Sequence, residues 1–315
     1  MPKLSFLKED KVMKMKKLAA LALAAVMALG LVGCGGASIE GESESSDGGN
    51  GSIGLSVSTL SNPFFVTLAE GAEAKAEEMD AELIVVDAGD DAAKQTSDIE
   101  DLISKNISVL IVNPVDSDAV APAVETAISK GIKVIAVDRV VNGVEVDCSI
   151  ASDNVAGAAM ATEYLVELVG EGAEVAELEG VTGASATIDR GEGFHSVADE
   201  KLNVVAKQTA SFDRAEGMSV MENILQAQPN VKGVFAHNDE MALGALEAIG
   251  DKDIVVIGFD ATDDALASIA EGGMAATIAQ QPDLMGATAV ETALKLIAGE
   301  TVEKELPVEV KLVTE

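Results

Sequence analysis

An α/β fold made of two doubly wound parallel-sheet lobes is predicted from three features of the sequence. Short apolar runs alternate with amphipathic helical patterns from Ser52 onward. The runs are apolar throughout, which is typical of parallel strands buried on both faces beneath helices. They also exceed the number that one sheet of this topology comfortably holds, and a length of 315 residues suits about two domains.

The apolar runs are the predicted strands, at Ile53–Val57, Leu83–Val86, Val109–Val112, Val134–Val137, Val175–Leu178, Val204–Ala206, Val231–Ala236 and Ile254–Phe259, with a further run at Ala275–Ala279. The predicted helices include Phe65–Met79, Ala92–Ser104, Ala119–Ser129, Asn154–Val169, Arg214–Leu225 and Met241–Ile249. Right-handed crossovers would join strand to helix to strand within each lobe.

The N-terminus has the pattern of an export signal. Lysines precede an apolar stretch from Leu18 to Val32, which is shorter than the roughly 20 residues of a membrane span. It ends in Leu31-Val32-Gly33-Cys34, which resembles the bacterial lipobox, where cleavage before the cysteine leaves a thiol that carries lipid. We predict a lipoprotein signal peptide at 1–33 and lipidation of Cys34. The alternative is an ordinary signal peptide that happens to contain a cysteine.

The segment 34–51 is predicted to be a tether. It is rich in Gly, Ser and acids and contains no base, a composition typical of flexible linkers. If Cys34 carries lipid, the chain's other cysteine, Cys148, has no disulfide partner. Cys148 is therefore expected to be a small core residue.

The composition argues against nucleic acid as a partner. The chain has 54 acids and 21 bases, a formal net charge of −33, no Trp and 3% aromatic residues. A nucleic-acid surface needs Lys and Arg for the phosphates and aromatic side chains for unstacked bases. The acidic excess is instead typical of a solvated surface.

Polar and aromatic side chains follow the predicted strands. Ligands of open parallel sheets bind beyond the carboxyl ends of the strands, so these positions are candidates for a binding site. Arg190 is expected in one of the connections. The full set is Asn62, Phe64, Phe65, Asp138, Arg139, Arg190, Phe212, Asn238, Asp260 and Gln280.

Each of these residues taken alone has a structural explanation, since Asn or Asp after a strand is often the N-cap of the next helix. Asn62-Pro63 has the pattern of an N-cap followed by a proline at the first helical position. The set as a whole suits a polyol. Each sugar hydroxyl both donates and accepts hydrogen bonds, and the C–H faces of a sugar pack on flat apolar rings.

From Ser52 to Glu315 the chain resembles the periplasmic ribose-binding proteins of the pentose/hexose ABC importer family. The segments that carry the resemblance are Val57–Val66, Asn113–Val120, Ile150–Val155, Arg190–Phe194 and Asn238–Leu246. The resemblance implies that all of the candidate residues contact the sugar and that the sugar is D-ribose. It also implies a monomer that needs no cofactor or metal and catalyses no reaction.

The resemblance further implies an extracytoplasmic protein, lipid-anchored to the cell membrane, that delivers its sugar to an ABC permease and its ATPase by hinge closure. The implied lobes are 52–152 with 281–309 and 153–280 with 310–315, joined by a three-segment hinge. Two features depart from the family: His237 stands where Gln is usual, and the connection before Asp253 looks shorter. Both are expected to lie beside the pocket.

Three alternatives differ in function class. Asp138 and Asp260 could be a glycosidase acid pair, but a general acid needs a raised pKa and the nearby arginines are expected to favour the ionised forms. A sugar-responsive repressor would carry a basic helix-turn-helix segment before Ser52, where this chain has a signal and an acidic tether. The same fold could bind another pentose, a hexose or a furanose signalling molecule.

Overall fold

The computed structural model describes residues 51–314. Its strands are β1 (Ile53–Val57), β2 (Leu83–Asp87), β3 (Val109–Val112), β4 (Lys133–Val137), β5 (Cys148–Ser152), β6 (Glu174–Glu179), β7 (Asn203–Thr209), β8 (Gly233–Ala236), β9 (Val255–Ile257), β10 (Thr277–Ala279), β11 (Glu305–Val308) and β12 (Lys311–Val313). Its helices are α1 (Pro63–Glu78), α2 (Ala92–Ser104), α3 (Ala121–Ser129), α4 (Asn154–Val169), α5 (Ser185–Lys201), α6 (Arg214–Ala227), α7 (Asp239–Ile249), α8 (Asp263–Ala270) and α9 (Pro282–Ile297).

The strands form two parallel sheets, as predicted. The first has the order β11-β5-β4-β3-β1-β2 and the second the order β7-β6-β8-β9. An antiparallel pair, β10 with β12, lies beside β9. We call the elements and connections of the six-stranded sheet the first lobe and those of the four-stranded sheet the second lobe. Each sheet reverses its winding beside an early strand, β1 or β6, which creates a crevice at the carboxyl ends.

Successive apolar residues of the central strands point to opposite faces of each sheet, so a core forms on both faces. Val109 and Ile111 of β3 face α1 and α9, whereas Leu110 and Val112 face α2 and α3. In the second lobe, Phe235 of β8 faces α4 and α5. Because both faces are covered, these strands are apolar without interruption, which is the pattern that made them predictable.

Some elements differ from the predictions. Arg190 lies in the helix α5 rather than in a connection. Strands β5, β11 and β12 were not among the predicted strands. The two last are short and partly exposed, so their sequences mix polar and apolar residues, and β5 alternates buried with half-buried residues.

The predicted signal peptide, the lipidation site Cys34 and nearly all of the tether lie outside the described residues. Cys148 lies within them and is buried with a free thiol, as expected for a core residue. Across residues 51–314, every helix is too short or too polar to span a bilayer.

Candidate functional site

One small cavity at the carboxyl ends of the two sheets collects every predicted site residue except Gln280. First-lobe and second-lobe side chains line it together, so it lies between the lobes. Ala186 is an additional lining residue that the sequence did not indicate. The lining residues are Asn62, Phe64, Phe65, Asp138, Arg139, Ala186, Arg190, Phe212, Asn238 and Asp260.

The start of helix α1 supplies an amide and two rings. Asn62 is the N-cap, its Oδ1 accepting the backbone N–H of Phe64 at 2.9 Å, and Pro63 occupies the first turn. The Phe64 and Phe65 rings meet edge to face with centroids 5.1 Å apart. The capping explanation and the binding explanation of Asn62 are therefore compatible, because the cap holds the residue at the cavity wall.

Strand β4 ends in an acid and a guanidinium group. The carboxylate of Asp138 accepts a hydrogen bond from Asn113 Nδ2 at 3.0 Å, and Arg139 Nη1 donates to the Pro114 carbonyl at 2.8 Å. The Arg139 guanidinium lies between two rings, 5.1 Å from the centroid of Phe65 and 5.4 Å from that of Phe212. Its buried Nε has no hydrogen-bond partner within the described part of the chain.

Helix α5 supplies the second guanidinium group. Arg190 Nε donates to Asn154 Oδ1 at 2.8 Å, and its Nη1 donates to the His237 carbonyl. The group lies 3.9 Å from the centroid of the Phe259 ring. Arg190 Nη1 is also 3.7 Å from an Asp260 oxygen, so the two form a buried ion pair.

The remaining second-lobe residues hold one another. Asn238 is the N-cap of α7, accepting the backbone N–H of Met241 at 3.0 Å, and its amide donates to the Phe212 carbonyl at 3.3 Å. Gln280 Nε2 donates to Asp260 Oδ1 at 2.7 Å. The Oε1 of Gln280 is buried and has no partner in residues 51–314. Gln280 therefore supports Asp260 from outside the cavity lining.

Burial dominates the protonation of the two cavity acids. It raises the pKa of Asp138, and the Arg139 and Arg190 guanidinium groups oppose that rise without cancelling it. It also raises the pKa of Asp260 well above the ordinary value, against the pull of Arg190. The arginines favour the ionised carboxyls, as expected, but the pKa of each acid is still raised because desolvation of a carboxylate outweighs the nearby cations.

Three of the cavity residues have strained backbones. Asp138, Phe212 and Asp260 have φ of +64°, +61° and +126°. A residue with a Cβ in this region costs of order 1–3 kcal/mol, and such residues cluster at ligand sites. This strain is not predictable from residue type, since none of the three is a glycine.

Three residues that support the site from behind were not among the predicted site residues. Asn113 and Asn154 hold Asp138 and Arg190, and Phe259 lies beneath Arg190. Asn113 follows an apolar run and Phe259 ends one, which is the signal that identified most of the site residues, whereas Asn154 follows β5, a strand without such a run. The signal does not distinguish a ligand contact from a partner of one.

The two departures from the family lie in different places. His237 is behind Arg190, as expected, with its ring directed to Glu177. Asp253 lies in the connection between α7 and β9, so it stands at the amino end of β9. The expectation that this connection lies beside the pocket was wrong, because the cavity is at the carboxyl ends of the strands.

Direct hydrogen bonds join the lobes beside the cavity. The Ser117 N–H donates to the Gly183 carbonyl at 3.1 Å, and Ser117 Oγ accepts the N–H of Ser185 at 3.2 Å. Ser185 Oγ accepts the N–H of Val140 at 3.0 Å. The lobes are thus in contact at this rim, which is the arrangement of a closed cleft.

Comparisons with known proteins agree with this geometry. A family model described as a periplasmic binding protein domain matches residues 53–301. The ribose import binding protein of Bacillus subtilis is 53% identical over 84% of this chain and 87% of its own length. That of Escherichia coli is 46% identical over 96% of this chain and 99% of its own length.

A solved structure gives the same result. An ABC transporter solute binding protein from Bacillus halodurans, with bound myo-inositol, is 34% identical. It matches with a TM-score of 0.81 over 85% of this chain and 96% of that chain. The chain therefore belongs to the periplasmic binding protein family, a family of extracytoplasmic solute-binding proteins rather than enzymes.

Proposed function

We propose that this chain captures D-ribose outside the cytoplasm and delivers it to an ABC importer. The observation that carries the proposal is the meeting of two acids, two guanidinium groups, two amides and three phenyl rings in one cavity. These groups offer donors, acceptors and flat faces to an uncharged pentose. The relatives named for ribose import share about half of the sequence with this chain.

The proposed mechanism is closure about a hinge. A sugar that contacts both lobes stabilises the closed form by its extra contacts there. Charge-assisted hydrogen bonds contribute about 1.5–3 kcal/mol each, so three or four well-made ones together with aromatic packing suffice for the roughly 8 kcal/mol of a micromolar site. The proposed lobe boundaries are 52–152 with 281–309 and 153–280 with 310–315, and the three crossings between them form the hinge.

The proposed partners follow from this role. The closed, sugar-loaded monomer docks on an ABC permease, whose ATPase drives import, and no cofactor or metal takes part. The lipid on Cys34 anchors the protein to the membrane, and 34–51 is the tether. Mass spectrometry of the membrane fraction tests the anchor: a diacylglyceryl adduct on Cys34 is expected, and an unmodified or absent Cys34 in the mature protein would contradict it.

A second ligand class has one observation in its favour. The Bacillus halodurans structure is solved with myo-inositol, a cyclic polyol without a ring oxygen. Each of its hydroxyls both donates and accepts hydrogen bonds, as those of a sugar do. Another pentose, a hexose or an inositol is therefore the alternative ligand for the same cavity.

A thermal-shift screen separates these ligands. The mature protein is heated with ribose, arabinose, xylose, allose, galactose and myo-inositol at equal concentrations, and calorimetry follows on each compound that stabilises it. The largest shift is expected with ribose, with an affinity in the micromolar range or tighter. No shift with ribose, or a larger one with another compound, would overturn the assignment to ribose.

A further inference from the structure

A strained turn carries Asp260 into the cavity. Asp260 and Ala261 have φ of +126° and +60°, and neither is a glycine. Such conformations are costly for residues with a Cβ and persist only where the surroundings hold them. Gln280 holds the Asp260 carboxyl at its tip, but the backbone of the turn needs other partners.

The carboxylate of Asp239 holds this turn from behind. Its Oδ2 accepts the backbone N–H of Thr262 at 2.8 Å and the Thr262 hydroxyl at 3.3 Å. Its Oδ1 accepts the hydroxyl of Thr277 at 2.6 Å. The Thr277 oxygen in turn accepts the N–H of Ala261 at 3.2 Å. One buried side chain thus fixes the two residues that follow Asp260.

Asp239 is also fixed on its other side. It is fully buried and does not line the cavity. Its backbone N–H donates to the Phe259 carbonyl at 2.8 Å. A Cβ on Gly258 would lie 2.3 Å from Asp239 Oδ1, so only glycine fits there. Burying a carboxyl group is expensive unless it is hydrogen-bonded, and here every one of the side-chain bonds serves the strained turn.

We propose that Asp239 is a positioning residue for ligand binding, which holds the Asp260–Thr262 turn and so sets the direction in which the Asp260 carboxyl enters the cavity. The proposal rests on the proposed function to the extent that Asp260 is taken to contact the sugar. Asp239 itself contacts no ligand. Its substitution should therefore act on affinity through the geometry of Asp260.

Four variants test the effect on affinity. Asp239→Ala removes all three side-chain bonds, and calorimetry is expected to show ribose affinity reduced by about 10- to 100-fold, the range that corresponds to releasing one or two strained residues. Asp239→Asn keeps one acceptor oxygen for the Thr262 N–H and should restore most of that loss. Thr277→Val removes the bridge to Ala261 at nearly constant shape and should weaken binding by about 3- to 10-fold.

Asp263→Asn is the matched control, because Asp263 is an exposed acid in the next turn of the chain, and affinity within twofold of the parent is expected. Unfolding temperatures are measured for all variants. Asp239→Ala or Thr277→Val with unchanged affinity would overturn the proposal. So would Asp239→Asn losing as much affinity as Asp239→Ala while unfolding at the parent temperature.

Sugar-free crystal structures of the parent and of Thr277→Val and Asp239→Ala provide a readout that does not depend on the ligand. The φ of Asp260 is expected to relax, and its carboxyl should leave the 2.7 Å bond to Gln280. An unchanged Asp260 would overturn the positioning role. If the parent binds no ribose, the assignment of the ligand fails, and these structures still decide the role of Asp239. If Asp239→Ala does not fold, Thr277→Val serves for both measurements.

Discussion

The two cavity arginines are held in different ways. Arg190 donates hydrogen bonds to Asn154 and to the His237 carbonyl, and its guanidinium lies over the Phe259 ring. All three partners belong to the second lobe, as Arg190 does. The hydrogen bonds and the closest ring contact of this side chain are therefore made within one lobe.

Arg139 depends on both lobes. It donates one hydrogen bond, to the Pro114 carbonyl of its own lobe. Its guanidinium lies between Phe65 of the first lobe and Phe212 of the second. Removing the second lobe would take away one of the two rings and expose the charge.

This difference suggests an order of events in binding. A preorganised guanidinium group loses little conformational freedom when it binds a ligand. A guanidinium group whose contacts form only when the lobes close adds to the binding free energy only in the closed form. We infer that a sugar meets Arg190 in its final position and that Arg139 adds its contribution as the lobes come together. The second lobe is thus the prepared half of the site.

Loss of the prepared arginine should have the largest effect. Arg190→Ala leaves the buried Asp260 without its cation. Removing one partner of a buried ion pair destabilises the surrounding structure by about 3–5 kcal/mol. Calorimetry is expected to detect no ribose binding, with the circular dichroism of the parent retained. Asp138→Ala should behave in the same way, since Asp138 is equally buried beside Arg139.

Arg214→Ala is the matched control for Arg190→Ala. Arg214 is a partly exposed arginine of the same lobe that pairs with Glu240 and Asp264 outside the cavity lining. Its loss should leave ribose affinity within about twofold of the parent, because Arg214 is not among the residues that line the cavity. Near-normal binding by Arg190→Ala would refute its place in the site.

The ring between the lobes should come next in effect. Phe212 lies 5.4 Å from Arg139 and 5.8 Å from Arg190, so it is the ring that both charges share. Phe212→Leu removes both cation–π contacts, worth about 0.5–2 kcal/mol each, and ribose affinity should fall by about 10-fold or more. Calorimetry compares it with Phe65→Leu, which removes one such contact from the first lobe.

If the Arg139–Phe212 contact forms only when the lobes close, Phe212→Leu should also make the closed form less populated. Small-angle scattering with saturating ribose is expected to give a larger radius of gyration for Phe212→Leu than for Phe65→Leu, because an open cleft is less compact than a closed one. Equal radii with equal affinities would show that the two rings act only as parts of the cavity wall.

The sequence predicts the site better than its support, for a physical reason. Buried parallel strands are recognisable in a sequence as unbroken apolar runs. The polar residue after each run lies at the carboxyl edge of a sheet, where ligands bind. That rule places Asn62, Asp138 and Asp260 together. It does not reveal that Arg190 lies in a helix, because its register depends on packing between α4 and α5.

Backbone strain is equally hidden. Residues with positive φ here are held by partners distant in sequence: Asn238 donates to the Phe212 carbonyl, and the Asp260 N–H donates to the Ile278 carbonyl. Local propensity predicts glycine at such positions. The sequence pattern therefore indicates which side chains meet, whereas the direction of each side chain is set by long-range contacts.

A smaller effect is expected at the rim where the lobes touch. Gly183 has φ of +91°, and a Cβ there would lie 2.2 Å from Asp116 Oδ2 of the first lobe. Gly183→Ala must push Asp116 away before the cleft closes, so calorimetry is expected to show affinity reduced by about 3- to 10-fold. Gly172→Ala controls for backbone strain alone, since Gly172 has φ of +77° and open space around it.

The two substitutions should lower the unfolding temperature by similar amounts, because both place a Cβ at positive φ. Only Gly183→Ala should lose affinity. Equal affinities for the two variants would mean that the Asp116 side chain moves aside without cost and that this rim does not limit closure.

The smallest expected effect is a loss of folding stability at acidic pH, and it should arise in the second lobe. Both histidines of the chain belong to that lobe, and His237 is buried with Nε2 2.9 Å from Glu177 Oε1. Burial lowers the pKa of His237, while the hydrogen bond and charge of Glu177 oppose the shift. In the unfolded chain His237 is protonated below its ordinary pKa of about 6.5. In the folded protein its protonation requires a lower pH.

Folding stability should therefore decrease as the pH falls below about 6.5, by up to about 1.4 kcal/mol per pH unit from this one group. His195 and Lys207 lie within ion-pair distance of the same Glu177 carboxylate, and Glu179 pairs with Lys207. Urea unfolding at pH 7.5, 6.5 and 5.5 is compared for the parent and His237→Gln, whose amide can donate to Glu177 without titrating. The parent should lose more stability between pH 6.5 and 5.5 than the variant does, and parallel profiles would show that His237 accepts its proton in the folded lobe as readily as in the unfolded chain.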